Sequence, residues 1–113
     1  MAKPELEFFD HDISIGWRQV EGAPEGIIEK ILSDDPETGD YTRLLKFPPG
    51  LVTKDVLVHD FWEEVYILSG SLKDLNKKET YIPGMYACRP PGMEHGPYEI
   101  PEGCMTIELR YYK

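Results

Sequence analysis

Apolar and polar residues alternate in short runs along this chain, and glycine and proline interrupt the runs every few residues. No stretch carries apolar residues at the three-and-four spacing of an amphipathic helix, so the pattern predicts strands joined by turns. Residues 13–20 read as a strand with Ile13, Ile15 and Trp17 on one face, and residues 27–32 as a second, after a turn over residues 22–26. The polar cluster at 34–40 predicts a hairpin loop. Residues 41–47 put Tyr41, Arg43, Leu45 and Phe47 on one face. Pro48, Pro49 and Gly50 end that strand, because proline cannot extend a ladder and glycine permits the turn. Residues 54–61, 63–69, 80–82, 85–89 and 104–112 complete the set. Residues 74–79 read as an exposed hairpin tip or one turn of helix. The expectation is an all-β sandwich or barrel preceded by an N-terminal arm over residues 1–12.

Composition narrows this picture. A chain of 113 residues, 41% of them hydrophobic, holds one packed domain (residues 1–113) with no second core. The formal charge of −9 argues against nucleic acid or an anionic membrane surface as partner, and an anionic substrate would need a local cation. With no apolar run long enough to span a bilayer and no basic-then-apolar start, the chain reads as cytoplasmic. Cys88 and Cys104 fall in strand-like segments without C-x-x-C spacing, which suits two reduced, buried thiols.

The chemistry concentrates between residues 55 and 95. In a strand over 54–61, Asp55, Leu57, His59 and Phe61 share a side, and after the following connection Glu63, Val65 and Ile67 share one whose apolar character marks the core. His59 and Glu63 therefore point inward. An unpaired buried glutamate costs several kcal/mol or is forced to protonate, and a metal ion relieves that cost. His95, just after Pro90-Pro91-Gly92, can turn back to the same cavity. Two neutral imidazoles and a carboxylate form a set used for non-haem Fe(II), and they also accept Mn, Co, Ni or Zn.

These residues resemble the cupin motifs. Gly50, His59, Glu63 and Gly70 fit the first, G-x5-H-x-H-x3-E-x6-G, within residues 50–70. Gly84, Pro90, Gly92 and His95 fit the second, G-x5-P-x-G-x2-H-x3-N, within residues 84–99, with Glu99 where asparagine is usual. The resemblance implies a small RmlC-like cupin, a double-stranded β-helix or jelly-roll barrel. Residues 43–50, Glu63-Glu64-Val65, 89–92 and Leu109-Arg110-Tyr111 look most like the cupin domain of ChrR-type anti-sigma factors; small diketone and acetophenone dioxygenases are also similar. The spacing from Gly50 to the motif's leading position is one residue longer than the pattern, and a second departure stands out. Leu57 occupies the place of the first motif's leading histidine, so the usual three His and one Glu are reduced to His59, Glu63 and His95.

Two readings stay open on those ligands: a divalent metal centre, with Fe(II) favoured, or hydrogen-bonded core histidines in a cupin that has lost its metal. His11 reads as exposed on the arm. Arg43 is either a rim residue paired with a carboxylate or a clamp for an anionic substrate. Tyr41, Trp17, Leu57, Met105 and Ile107 are further pocket candidates, and Tyr98 and Glu99 suit the rim or the support of His95. Glu64 points away from Glu63, into solvent. The resemblance implies dioxygenase-like chemistry on a small oxygenated molecule, or a metal-dependent isomerase or lyase, or a non-catalytic sensing module without the helical sigma-binding domain. It also implies homodimers, paired through edge strands.

Overall fold

A computed structural model describes residues 3–112; Met1 and Ala2 of the expected arm, and Lys113, lie outside the described residues. After a short helix α1 (His11–Ser14) come twelve strands: β1 (Arg18–Gln19), β2 (Ile28–Asp34), β3 (Tyr41–Phe47), β4 (Leu51–Val52), β5 (Leu57–Val58), β6 (Trp62–Gly70), β7 (Leu72–Asp74), β8 (Glu79–Tyr81), β9 (Tyr86–Arg89), β10 (Glu94–His95), β11 (Tyr98–Ile100) and β12 (Cys104–Tyr111). They form a six-stranded sheet in the order β1-β2-β3-β12-β6-β9, a four-stranded sheet β4-β11-β7-β8 and a two-stranded ribbon β10-β5. Every pairing is antiparallel. This is a jelly-roll barrel. Among the described residues no helix is long and apolar enough to cross a membrane.

The register explains where the core ends and the polar interior begins. Inward positions on β6 run Glu63, Val65, Ile67, and they face Arg110, Glu108 and Thr106 on β12. On β3, Arg43 stands opposite Glu108 and Leu45 opposite Thr106. The interior therefore grades along the strands. At one end Ile67, Leu72, Tyr98, Ile100 and Cys104 pack with Phe47, Leu51 and Tyr81; at the other, charged side chains fill the barrel.

Several expectations change. Residues 13–20 are not one strand: Asp10 caps α1 by accepting from the Asp12 N–H, and only Arg18–Gln19 pairs with β2. The strand foreseen over 54–61 survives only as Leu57–Val58, so His59 sits in the loop that follows. Cys88 is exposed and only Cys104 is buried, both as free thiols; Cys88 pairs with outward-facing Glu64. Residues 75–78 do form a hairpin turn, tied by the buried Asp74 carboxylate, which accepts from the N–H groups of Asn76 and Lys77.

Candidate metal centre

Glu63 enters the barrel from β6, His95 from β10, and His59 from the loop after β5, where the Gly92 N–H bonds the His59 carbonyl at 2.8 Å. One ligand atom from each of the three lies within 4.8 Å of the others. His59 is stacked on Phe61 at 4.5 Å and tilted against His95 at 5.1 Å between ring centroids. Glu63 and His95 are buried.

The surroundings of Glu63 and His95 are built to hold them. The Arg89 guanidinium donates to Glu63 Oε1 at 2.9 Å and to the Tyr98 hydroxyl at 3.0 Å, and that hydroxyl meets His95 Nδ1 at 2.9 Å. One chain of contacts thus links β6, β9, β11 and β10. With Nδ1 engaged, His95 Nε2 is the free ring atom. It is buried without a hydrogen-bond partner, 4.0 Å from Glu63 Oε1. A buried polar atom left unpaired is costly, and this one lies among two other donors of metal-ligand type. The donor set fits a divalent ion.

Burial, with Arg89 close by, pushes the His95 pKa down to about 3, and burial also lowers His59. Both rings are therefore neutral near pH 7, the form that ligates a metal. Since the unfolded imidazole titrates near 6.5, the unfolded chain takes up protons first as pH falls. The stability these histidines contribute is complete above that pH and is lost as pH drops toward the folded value. In chelator, the thermal midpoint should fall between about pH 7 and about pH 4, and His95→Gln, which has no ring to protonate, should flatten the profile. A wild-type midpoint no more acid-sensitive than that variant's would contradict the assignment.

The three residues face a cavity of about 410 Å³. Leu57 lines it, directly opposite His95 in the β5–β10 ribbon, and so does Asp55, which is not among the grouped ligand atoms. Arg43 lines it as well, but its charge is engaged: Nε and Nη2 donate to Glu108 at 3.0 and 2.8 Å, and Nη1 to Glu29 at 2.7 Å. Burial works against the charged guanidinium, yet these carboxylates outweigh it and keep Arg43 protonated; burial raises Glu108 above the usual carboxylate range.

Tyr41, Trp17, Met105 and Ile107 do not line this cavity. Tyr41 faces inward at the far end of β3, beneath Arg43 and Arg110, each 5.1 Å from its ring centre. Trp17 lies on the outer face under Lys30. Met105 and Ile107 alternate with the inward residues of β12 and therefore point out. His11 is half-buried against Lys30 on that outer face, at a distance in the fold from the three ligands. Glu64 does point outward, but the hydroxyls of Tyr86 and Tyr111 both donate to it. Arg89, Thr106 and Glu108, which line the cavity, and Glu29, which holds Arg43 beside it, are among the residues that sequence reasoning missed.

The model of the ChrR cupin-like domain matches residues 10–110. The chain belongs to this cupin family. Its barrel is similar to the structure of KdgF from Halomonas sp., at 24% identity and a TM-score of 0.74, covering 95% of each chain. It is similar to an RmlC-like cupin from Ralstonia eutropha, at 18% identity and 0.77, covering 95% of this chain and 69% of that one. It is also similar to an acetylacetone dioxygenase from Acinetobacter johnsonii, at 18% identity and 0.72, covering 98% and 75%. At these identities the likeness establishes the cupin fold alone. No curated protein matches the chain.

Proposed function

We propose that this cupin is a metal-dependent enzyme acting on a small, uncharged, oxygen-bearing organic molecule, with His59, Glu63 and His95 holding a divalent ion. The observation that carries it is the buried, unpartnered His95 Nε2, grouped with His59 and Glu63 at the wall of the cavity. A bound ion would supply Lewis acidity there and, as Fe(II), the capacity to engage oxygen. Fe(II) is favoured, with Mn, Ni, Co and Zn as the other ions this donor set accepts.

The chain's own residues do the rest. Arg89 fixes the Glu63 carboxylate and leaves its charge partly neutralised. Tyr98 fixes the His95 ring; with Nε2 given to an ion, the neutral imidazole keeps its proton at Nδ1 and donates it to the Tyr98 oxygen. Leu57 adds an apolar wall where a further imidazole would otherwise stand, leaving room for a substrate with two oxygen atoms. Arg43 is engaged by Glu108 and Glu29, and Arg89 by Glu63 and the Tyr98 hydroxyl, so the buried cations do not favour an anionic substrate. The likeness to an acetylacetone dioxygenase makes a β-diketone the first molecule to try. The same site would serve an isomerase or lyase with a redox-inert ion.

The family match favours a second reading, a ChrR-type module that senses a metal or small ligand without turnover. Calorimetric titration under nitrogen with Fe(II), Mn, Co, Ni and Zn should give one ion per chain, weakened at least about 100-fold by His95→Ala. Failure of every ion to bind stoichiometrically would sink the enzyme and the metal sensor alike, and leave only a sensor of a small ligand. Substrate-dependent oxygen uptake by the Fe(II)-loaded protein separates them: uptake supports the dioxygenase, and binding without turnover of any substrate supports the sensor.

A further inference from the structure

His59 differs from the other two grouped ligands in how it is held. Hydrogen bonds fix the others, Glu63 from the Arg89 guanidinium and His95 through the Tyr98 hydroxyl. Among the described residues no group hydrogen-bonds the His59 ring. It lies instead almost parallel to the Phe61 ring, at an interplanar angle of 13° and 4.5 Å between centroids. A metal-ligating imidazole ordinarily takes its orientation from a hydrogen bond at its second nitrogen. Here the stacked ring has to supply it.

Phe61 is gripped in turn. It is buried, between β5 and β6, and the Arg110 guanidinium from β12 rests over its ring, 4.1 Å from the centroid. The Tyr112 ring meets Phe61 edge-on at 5.9 Å. Arg110 is set by the same tyrosine, whose hydroxyl accepts from Nη2 at 2.9 Å, and by the Tyr41 ring opposite it on β3, 5.1 Å away.

Arg110 is an expensive residue at this position. It makes no ion pair with any described carboxylate: Glu63, its neighbour on β6, goes to Arg89, and Glu108 goes to Arg43. Its Nε is buried without a hydrogen-bond partner. A leucine or methionine would fill the space without an uncompensated charge. What only a guanidinium brings is a flat cation that holds an aromatic face.

We infer that Arg110 is a positioning residue for the metal centre: stacked on Phe61, it fixes the plane on which the His59 imidazole lies. The inference rests on the reading of His59, Glu63 and His95 as metal ligands. Each ligand then has a support from a different strand, β9 for Glu63, β11 for His95 and β12 for His59. Stacking holds the plane of the imidazole and leaves the ring free to slide within it. Arg110 itself does not line the cavity.

The sign of one substitution separates this role from a purely electrostatic one. Arg110→Met removes a cation two stacked layers from the site, and by charge alone that should strengthen binding of a divalent ion. Loss of positioning should weaken it instead, by about 10- to 100-fold in calorimetric titration with Zn or Co(II), and should alter the visible spectrum of the Co(II) form. Phe61→Leu should do the same. The double variant should bind no worse than Phe61→Leu alone, because Arg110 acts through that ring. Arg110→Lys, which keeps the charge without the flat face, should recover only part of the affinity, and it serves equally if the methionine variant does not fold. Leu51→Ala, at the apolar end of the barrel, should lower the thermal midpoint and leave ion affinity unchanged.

Proton NMR of the metal-free protein tests the stack apart from the metal. The Phe61 ring current should shift the His59 ring protons upfield, and Arg110→Met should return them toward free imidazole. A wild type that binds no ion would overturn the metal reading, and the ring shifts would then decide alone whether Arg110 orients His59. Unchanged or tighter ion binding in Arg110→Met would overturn the inference, as would His59 ring protons that do not move or losses that simply add in the double variant.

Discussion

Replacing Arg43 with methionine should destabilise the protein by about 3 to 5 kcal/mol, because it strands the buried Glu108 carboxylate without its counter-charge. Arg43 is the counter-charge for Glu108, which also accepts from the Thr106 hydroxyl at 3.2 Å, and it shares Glu29 with Arg18. Arg18 is largely exposed and holds only Glu29, so Glu108 would be left to itself. For a domain of about 110 residues the loss amounts to a midpoint lower by roughly 12 to 20 °C. Acid should shrink it. Glu108 in the variant stays protonated to a higher pH than it would in the unfolded chain, so the folded variant binds more protons, and its deficit grows as pH rises and eases as pH falls. Arg43→Met combined with Glu108→Leu should recover most of the stability, since a buried pair replaced by apolar side chains is often neutral. Thermal melts at about pH 5 and about pH 8 would check both statements. A single variant that melts within about 3 °C of the wild type would show that the pair is not buried as described.

Gly70→Ala should do comparable damage for a different reason. Gly70 ends β6 with φ at +77°, and a Cβ there would lie 2.0 Å from the Gly103 carbonyl oxygen and 2.8 Å from the Cys104 Cα. Both contacts are backbone, at the start of β12, so nothing flexible can yield. The left-handed conformation adds about 1 to 2 kcal/mol and the forced shift of packed backbone about 1 to 3 more. Gly84→Ala is the matched control: its φ is +93°, but nothing lies within 4 Å of the added carbon. It should lose only the conformational part. Chemical denaturation of the two variants side by side decides the matter, and equal losses would mean that the approach of β6 to β12 is looser than described.

Gly70 also illustrates what could be read from the sequence. Its motif position, with His59 and Glu63 before it and His95 after, is covalent spacing, and spacing is visible in one dimension. The strand over residues 41–47 was equally plain, because alternation and a double-proline stop agree there. The pocket residues were harder. Apolar positions were expected to mark the interior, which nominated Met105 and Ile107; the structure turns Thr106 and Glu108 inward instead, because each buried charge has a partner on a neighbouring strand. Pairing of that kind depends on register between residues such as Arg43 and Glu108, far apart in sequence, and alternation within one strand carries no trace of it. Tyr98, three residues after His95, was within reach of local reasoning, whereas Arg89 required knowing that β9 lies beside β6 with Arg89 opposite Glu63.

The three grouped side chains hang from supports of unequal stiffness. Glu63 stands in β6, bonded along its length to β12 and, at this end, to β9. His95 belongs to a ribbon of two residues per strand, and His59 to the loop beside it. Such a ribbon opens locally far more readily than the sheet does. An ion of larger or smaller radius would be accommodated by movement of the two imidazoles against a stationary carboxylate, at little expense to the barrel. Preference among ions would then follow the chemistry of nitrogen and oxygen donors rather than a rigid cavity radius, and exchange of one metal for another would proceed by the swing of a flap.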